Sequence, residues 1–391
     1  MTFNRPMQQE LSDQQLMRRS LSLAQRGGGH TNPNPVVGAV LARNGKIIGE
    51  GWHRRAGQPH AEIEALNDAC SRGNRSSGAT LYVTLEPCCT HGRTPPCTEA
   101  IIRAGIRRVV IGALDPNPAH GGRGPSILRE AGIDVAVGVL EAQARALNRA
   151  FEHWIVHRTP LVTLKAALTL DGKIATQAGE SKWITGPAAR KLVGRMRAER
   201  DAVLVGINTV LADDPGLLPF ERRARLSPPP RRLRIVLDSR AQTPPTAQIL
   251  KQSPLAETLI VVGERAPKRR VAELKQFASV WIAPTTTRGI DLQWLMAELG
   301  KRPVSSLLVE GGGEVHASFL RAGVAQRVAF FYAPKVLGGY ASRRGIAGDG
   351  VAGLQSAIRI QNIRNRMVGE DLLIEADLVH RAGPETKSAA S

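Results

Sequence analysis

The residues of this chain with the clearest chemistry are His60-Ala61-Glu62, Pro87-Cys88-Cys89 and Pro96-Cys97. One imidazole and two thiolates form the ligand set of a zinc site that keeps its fourth position open for water. A metal held this way brings the ionisation of water towards neutral pH. Glu62, two residues after the His, is no part of such a ligand set. It is placed to take a proton from water and hand it to a ring nitrogen and a leaving amine. Together these residues predict replacement of an amino group by oxygen on a heteroaromatic ring. The chain has four cysteines, Cys70, Cys88, Cys89 and Cys97. Cys70 falls near the end of the helix that His60 opens and reads as a core residue. Cys88 and Cys89 both offer a thiol. Cys88 is chosen because it directly follows Pro87, as the zinc motif requires.

Such groups need a rigid scaffold, and the flanking sequence supplies one. Residues 11–26 read as an amphipathic helix, capped by Ser12 or Asp13, with Met17, Leu21 and Ala24 on one face. Residues 36–41 and 46–52 read as strands joined by an Asn44-Gly45 hairpin turn. His60 opens a helix through Ala65, Leu66 and Ala69; residues 80–85 form a third strand, and Cys97 leads into a helix over 98–104. Strands at 107–113 and 133–139 enclose a short helix at 127–131. The expectation is a three-layer α/β/α domain with zinc between two helix N-termini, whose positive ends favour thiolate.

The motifs then become specific. Cytidine and nucleic-acid deaminases separate their cysteines by two to four residues, whereas eight, 89–96, lie between Cys88 and Cys97. The run Thr84-Leu85-Glu86-Pro87-Cys88-Cys89-Thr90-His91-Gly92-Arg93-Thr94-Pro95-Pro96-Cys97 resembles the deaminase half of the bifunctional pyrimidine deaminase/reductase family of riboflavin biosynthesis. So do Thr31-Asn32-Pro33-Asn34-Pro35-Val36-Val37-Gly38, Gly57-Gln58-Pro59-His60-Ala61-Glu62 and Asp115-Pro116-Asn117-Pro118. The resemblance implies a cytidine-deaminase-like domain in which His60, Cys88 and Cys97 bind zinc, Glu62 moves the proton and Cys89 does not ligate. It also implies that Asn34, His53 and His91 line the substrate pocket.

A second domain follows. Arg158-Thr159-Pro160 reads as the junction, with Pro160 interrupting a helix over 141–154. Strands are expected at 161–167, 202–206, 234–237, 259–262, 280–282, 307–309, 328–332 and 372–376, and helices at 190–200 and 292–299. Residues 166–185 read as a ligand loop without periodic structure, and 208–215 as a turn. Leu307-Leu308-Val309-Glu310-Gly311-Gly312-Gly313-Glu314 leads into a helix over 315–322, an arrangement that can hold phosphate at a helix N-terminus. It is not the G-x-G-x-x-G dinucleotide fingerprint.

Stretches 168–185, 211–215 and 308–313 resemble the reductase half of the same family, which implies a dihydrofolate-reductase-like fold and NADPH. Carried over by motif, Ala167, Trp183, Thr209, Asp213, Ser239, Gly312, Gly313, Glu314, Val315, His316, Ala317 and Ser318 fall at cofactor positions. Ser181, Arg197, Leu217 and Glu310 fall at substrate positions. The family places an Arg for the substrate phosphate soon after the Leu-Ala-Asp-Asp-Pro turn. Here Leu217-Leu218-Pro219-Phe220-Glu221 occupies that stretch, which leaves Arg197 as the candidate. Lys165 and Asp171 are the candidate general acids of the reduction.

Composition fits this organisation: a deaminase domain over 1–156, a reductase domain over 157–380 and a disordered tail over 381–391. The net charge is +19, but aromatic residues are only 4 %, which argues against a stacking platform for single-stranded nucleic acid. A positive field suits polyanionic small molecules such as a phosphorylated pyrimidine and NADPH. The absence of a long apolar run and of an apolar N-terminal segment predicts a cytoplasmic protein without membrane contact. The resemblance implies deamination of 2,5-diamino-6-(5-phosphoribosylamino)pyrimidin-4-one, then reduction of the ribosyl group to ribityl by a homo-oligomer, dimer or tetramer. The rival reading is a tRNA or other nucleic-acid deaminase with a basic appendage.

Overall fold

The computed structural model describes residues 12–91, 95–117, 120–219 and 231–379. The expected tail 381–391 and Arg222 and Arg223 lie outside the described residues. The chain divides into two compact units, Met1–Arg158 and Thr159–Ser391.

The first unit runs α1 (Asp13–Ala24), β1 (Gly38–Arg43), β2 (Lys46–Trp52), α2 (Ala61–Ser71), β3 (Thr80–Leu85), α3 (Cys97–Arg103), β4 (Arg108–Ala113), α4 (Arg123–Glu130), β5 (Asp134–Val137), α5 (Glu141–Leu147) and α6 (Arg149–His157). Its sheet has the order β2-β1-β3-β4-β5; β1 is antiparallel to both neighbours, and β3, β4 and β5 are parallel. The Asn44-Gly45 turn joins β1 to β2 with both residues at positive φ, 48° and 65°, as a two-residue hairpin demands. Ser12 caps α1 by accepting from the Gln15 N–H, and the Gln15 side chain answers the Ser12 N–H. Leu16, Met17 and Leu21 of α1 pack on one face of the sheet with Val40 and Tyr82. Ala61, Ala65 and Ala69 of α2, with Ile101 and Leu128, pack on the other face with Leu41, Leu81 and Ile111. The result is the three-layer α/β/α domain.

Two expectations fail here. Cys70 is exposed, because it sits on the outer side of the last turn of α2. The helix over 141–154 is broken at Asn148 rather than ended by Pro160. Asn148 is buried, its amide accepting from the Val36 N–H (2.8 Å) and donating to the Val36 carbonyl (2.9 Å). Satisfying a buried backbone pair this way takes precedence over helix continuity.

The second unit runs β6 (Leu161–Thr169), β7 (Lys173–Ala175), α7 (Pro187–Glu199), β8 (Ala202–Gly206), α8 (Ile207–Asp213), β9 (Arg232–Leu237), β10 (Ala256–Gly263), α9 (Lys268–Leu274), β11 (Ser279–Ala283), β12 (Thr285–Thr286), β13 (Gly289–Ile290), α10 (Leu292–Lys301), β14 (Ser306–Val309), α11 (Gly313–Arg321), β15 (Arg327–Ala333), β16 (Arg343–Arg344), β17 (Arg359–Val368) and β18 (Asp371–Val379). Nine strands form one sheet in the order β11-β10-β9-β8-β14-β6-β15-β18-β17. From β11 to β15 all pairs are parallel, and β18 and β17 close the edge antiparallel. Parallel strands need helical crossovers on both faces, and three apolar clusters fill them, one of which packs Ala189, Val193 and Met196 of α7 on Leu308 and Phe331. Of the other two, one centres on Leu164, Leu204, Leu307 and Phe319, the other on Val205, Val236, Ile260 and Leu274. This is the dihydrofolate-reductase-like α/β architecture.

Residues 208–215 are not a turn. Gly206 caps α8, and Asp214 ends it in the left-handed region (φ 42°) just before Pro215. Strand β7 interrupts the expected loop 166–185. Strand β17 escaped the sequence reading because its residues are exposed on both faces, which erases apolar alternation.

Candidate functional site

In the first unit His60 is the N-cap of α2, Cys88 follows β3, and Cys97 is the first residue of α3. Sheet topology thus delivers three donors to one point. The His60 Nδ1 lies 3.5 Å from the Cys88 Sγ and 3.3 Å from the Cys97 Sγ, and the three donor atoms are all within 4.8 Å of one another. Tetrahedral zinc at ordinary Zn–S and Zn–N lengths requires N···S separations of about 3.6 Å, so the donor set fits the ion in type and in spacing. The Cys97 backbone N–H donates to the Cys88 Sγ (3.3 Å). The thiols share a proton: the Cys97 thiol and His60 hold Cys88 down to about 4, while Cys97 is pushed up by donating to Cys88 and by burial.

Glu62 stands in the first turn of α2, 3 % exposed, with its carboxyl group against the Cys97 thiol. Burial pushes it up to about 7, against the opposing pull of His60. A carboxyl group in that range accepts and returns protons readily at neutral pH.

The residues expected around this pocket divide. His53 is 1 % exposed; its Nε2 accepts from the Asn34 amide (3.1 Å), its Nδ1 donates to the Pro59 carbonyl (3.0 Å), and its ring meets the His60 ring edge-on at 5.2 Å. Burial lowers its pKa and keeps it neutral, which suits both bonds. The structure therefore brings Asn34 and His53 to the cluster, with His53 orienting Asn34 and His60. His91 does not join them: its side chain is exposed, 3.7 Å from Glu99. Cys89 takes no part in the donor cluster.

Sequence reasoning missed Glu86. It is 5 % exposed at the end of β3 and accepts three backbone N–H groups, those of Asp115 (3.0 Å), Gly122 (2.9 Å) and Gly124 (2.9 Å). It ties the segment from Asp115 to the start of α4 against the Cys88 loop. A side chain on Gly124 would collide with the Pro87 carbonyl, so the loop approaches closely. The available signal was a carboxylate directly before Pro87-Cys88. Glu86→Ala strands three backbone donors, one buried and two partly buried, and the expected cost is about 3 kcal/mol. Denaturant unfolding should show this, with Glu86→Gln falling between variant and parent.

In the second unit Glu310 ends β14 and is buried between two cations. Arg197 donates to it through Nε (2.6 Å) and Nη2 (2.9 Å), and Lys165 Nζ lies at 3.5 Å. Burial alone would raise the Glu310 pKa; Arg197 and Lys165 outweigh it and hold it at about 2. Burial lowers Lys165, against the pull of Glu310. Arg197 thus pairs with Glu310, and the two residues expected at substrate positions meet at the end of β14. Leu217 has its side chain 5 % exposed in the core beneath β8 and β9, so its backbone is what it can offer a substrate. Ser181 donates to Asp213 (2.6 Å).

Asp171 accepts from Thr169 Oγ1 (2.6 Å) and the Leu337 and Gly338 N–H groups (3.1 and 2.8 Å), and these hydrogen bonds, the Thr169 one foremost, hold it at about 2. It is an ionised loop anchor and carries no proton to give, which removes it as a general acid.

Trp183 is 62 % exposed, with the Arg190 guanidinium over its ring at 4.5 Å. Ala167 lies on β6, and Thr209 on α8 faces Gly312. Ser239, Glu314, Val315 and Ser318 line one cavity of about 340 Å³. His316 and Ala317 do not reach it. They are 1 % and 7 % exposed on the opposite face of α11, where the His316 Nδ1 donates to the Gly345 carbonyl (2.9 Å). The side chains of the six consecutive helical positions from Gly313 to Ser318 fan out around α11 and cannot all face one ligand. Gly312 caps α11 without any side-chain bond, leaving its first-turn N–H groups for a phosphate. Gly313 sits against the Arg344 backbone, where no Cβ fits. Open helix end, cavity and exposed ring fit a dinucleotide.

Fold and sites define a bifunctional enzyme, a zinc deaminase of cytidine-deaminase type joined to a dihydrofolate-reductase-like reductase. Residues 11–113 match the cytidine and deoxycytidylate deaminase zinc-binding region, and residues 160–374 match the RibD C-terminal domain. The chain is 41 % identical over 370 residues to the riboflavin biosynthesis protein RibD of Actinobacillus pleuropneumoniae, covering 93 % of this chain and 95 % of that one. It is 42 % identical over 366 residues to RibD of Aquifex aeolicus, covering 93 % and 97 %. Among solved structures, RibD of Acinetobacter baumannii superposes with a TM-score of 0.81 at 34 % identity, covering 94 % of this chain and 99 % of that one. The Thermotoga maritima diaminohydroxyphosphoribosylaminopyrimidine deaminase/5-amino-6-(5-phosphoribosylamino)uracil reductase gives 0.81 at 35 %, with the same coverage. The chain belongs to the RibD family of riboflavin-biosynthesis proteins. It is a bifunctional deaminase and reductase that uses zinc and NADPH. A nucleic-acid deaminase with an unrelated appendage is disfavoured, because both halves match one family. No helix among the described residues is long and apolar enough to cross a membrane.

Proposed function

We propose that the first unit hydrolyses the exocyclic amine of 2,5-diamino-6-(5-phosphoribosylamino)pyrimidin-4-one, and that the second reduces the ribosyl group of the product to ribityl. The convergence of His60, Cys88 and Cys97 beside buried Glu62, on a chain of the RibD family, carries this reading. His60, Cys88 and Cys97 hold zinc, which supplies the Lewis acidity that makes water reactive near neutral pH. Glu62 takes one proton of that water on its carboxylate and gives it to the ring nitrogen, then carries the water's second proton to the departing amine, which leaves as ammonia, so that a C–O bond replaces a C–N bond. Asn34, held by His53, offers its amide to the pyrimidine.

In the second unit NADPH, when bound, supplies hydride to the open-chain form of the sugar. The open N-terminus of α11 and Thr209 hold its phosphates, and Trp183 covers its exposed side. Lys165, buried and paired with Glu310, is the residue placed to give the balancing proton. Ser181 and Asp213 form one hydrogen-bonded edge of the site. The enzyme works in the cytoplasm as a homo-oligomer on small phosphorylated substrates, without nucleic acid.

Cys97→Ala tests the division of labour. Zinc per chain should fall from one towards zero and ammonia release should cease, while NADPH oxidation with the already deaminated intermediate continues. Unchanged zinc content would refute the ligand set.

A further inference from the structure

Arg234 is a cation that the fold buries without a counter-charge. It stands on β9, 2 % exposed, and among the described residues no carboxylate lies within ion-pair distance of it. Its Nη1 donates to the Gly216 carbonyl and its Nη2 to the Lys251 carbonyl, both at 3.0 Å, and its Nε–H is buried without an acceptor among the described residues. Burial lowers its pKa and no charged neighbour offsets this, yet a guanidinium keeps its proton at ordinary pH. Taking such a charge out of water beside neutral acceptors alone is costly. Val203, Val236 and Ile260 fill the same face of the sheet, where an apolar side chain would pack without that cost.

The Gly216 carbonyl belongs to a backbone segment with unused donors. Asp214 and Leu217 are in the left-handed region (φ 42° and 49°), and Leu217 anchors its side chain in the cluster around Val236. The N–H groups of Gly216, Leu217 and Leu218 meet no acceptor among the described residues. Consecutive free N–H groups around a left-handed residue form an anion-binding concavity. The carboxylates just before it are engaged: Asp213 accepts from Ser181 (2.6 Å) and Asp214 from the Gln248 N–H (2.7 Å). No basic residue occurs over 217–221. The Gly216 carbonyl and the Leu217 N–H are one peptide group, so the bond from Arg234 polarises that N–H towards an anion.

We propose that Arg234 is a positioning residue of the reduction, which holds the 216–218 backbone as the seat of the substrate's phosphate and stands behind it as the charge that the phosphate neutralises. This rests on the reading of the second unit as a reductase of a phosphorylated sugar, with Leu217 at a substrate position.

Steady-state reduction by the full chain tests this, with the deaminated intermediate and with the same compound lacking its phosphate. The parent should show the higher kcat/KM with the phosphorylated compound. Arg234→Met keeps the bulk and removes the charge. It should lower that preference about tenfold, through KM for the phosphorylated compound. Melting temperature and NADPH affinity report whether the unit is folded. Arg234→Lys keeps the charge and should retain more of the preference than the neutral Arg234→Gln, and this pair decides if the Met variant does not fold. Folded variants that lose both compounds equally mark Arg234 as merely structural and overturn the assignment. So does full preference in the Met or Gln variant, or a Lys variant no better than the Gln one. A parent indifferent to the phosphate also overturns it, although the reductase reading then survives. A parent that reduces neither compound overturns both.

Discussion

Glu62→Gln is expected to reduce ammonia release by about 10³-fold, within the span of general acid–base contributions, while zinc content and NADPH oxidation with the deaminated intermediate stay at parental levels. The amide keeps the volume of the side chain in a site where Glu62 is 3 % exposed, so packing on Cys97 is preserved. What is lost is the capacity to accept a proton and return it. Cys88 and Cys97 keep their distances to His60, since Glu62 belongs to none of those contacts. Zinc analysis beside an ammonia assay separates the two losses. A variant that deaminates at the parental rate would show that the proton travels by another group.

Glu310→Ala is expected to destabilise the second unit by about 3–5 kcal/mol, the cost of leaving buried charge uncompensated. Arg197 and Lys165 both face this single carboxylate, and water can replace it only in part: their side chains are 24 % and 14 % exposed. The pH dependence has a definite sign. The Glu310 pKa is depressed from 4.5 unfolded to about 2 folded. Its contribution is therefore fully present above about pH 4.5 and is lost as pH falls through 2. Melting curves of parent and variant should lie far apart at neutral pH and draw together in acid. A separation that stays constant down to pH 2 would mean that the ionised carboxylate is not what stabilises the unit, and coincident curves would mean that the pair contributes nothing.

Local signals carried much of this molecule. Ser12, Asn44-Gly45 and the strand at Thr80–Leu85 could be placed because capping, turn chemistry and β-branched runs are written in adjacent residues. The zinc donors were legible for a related reason: two lie at helix starts and the third follows a strand, so motif and scaffold coincide. Distant pairings were not legible. Arg197 and Glu310 are separated by 113 positions, and nothing in either segment signals that the guanidinium pairs with this carboxylate. Glu86 was passed over because its partners are backbone N–H groups of a loop, which no side-chain pattern reveals. His316 and Ala317 were carried over with a contiguous run, whereas a helix turns about 100° per residue and points them into the core.

One measurement bears most directly on the central claim, that a single chain deaminates a phosphorylated pyrimidine and then reduces its sugar. Purified zinc-loaded protein is mixed with 2,5-diamino-6-(5-phosphoribosylamino)pyrimidin-4-one and NADPH, and ammonia and NADPH are followed separately. Ammonia should appear first, with one NADPH oxidised per ammonia after a lag that added intermediate abolishes. Zinc-loaded protein that releases no ammonia from this substrate would contradict the claim.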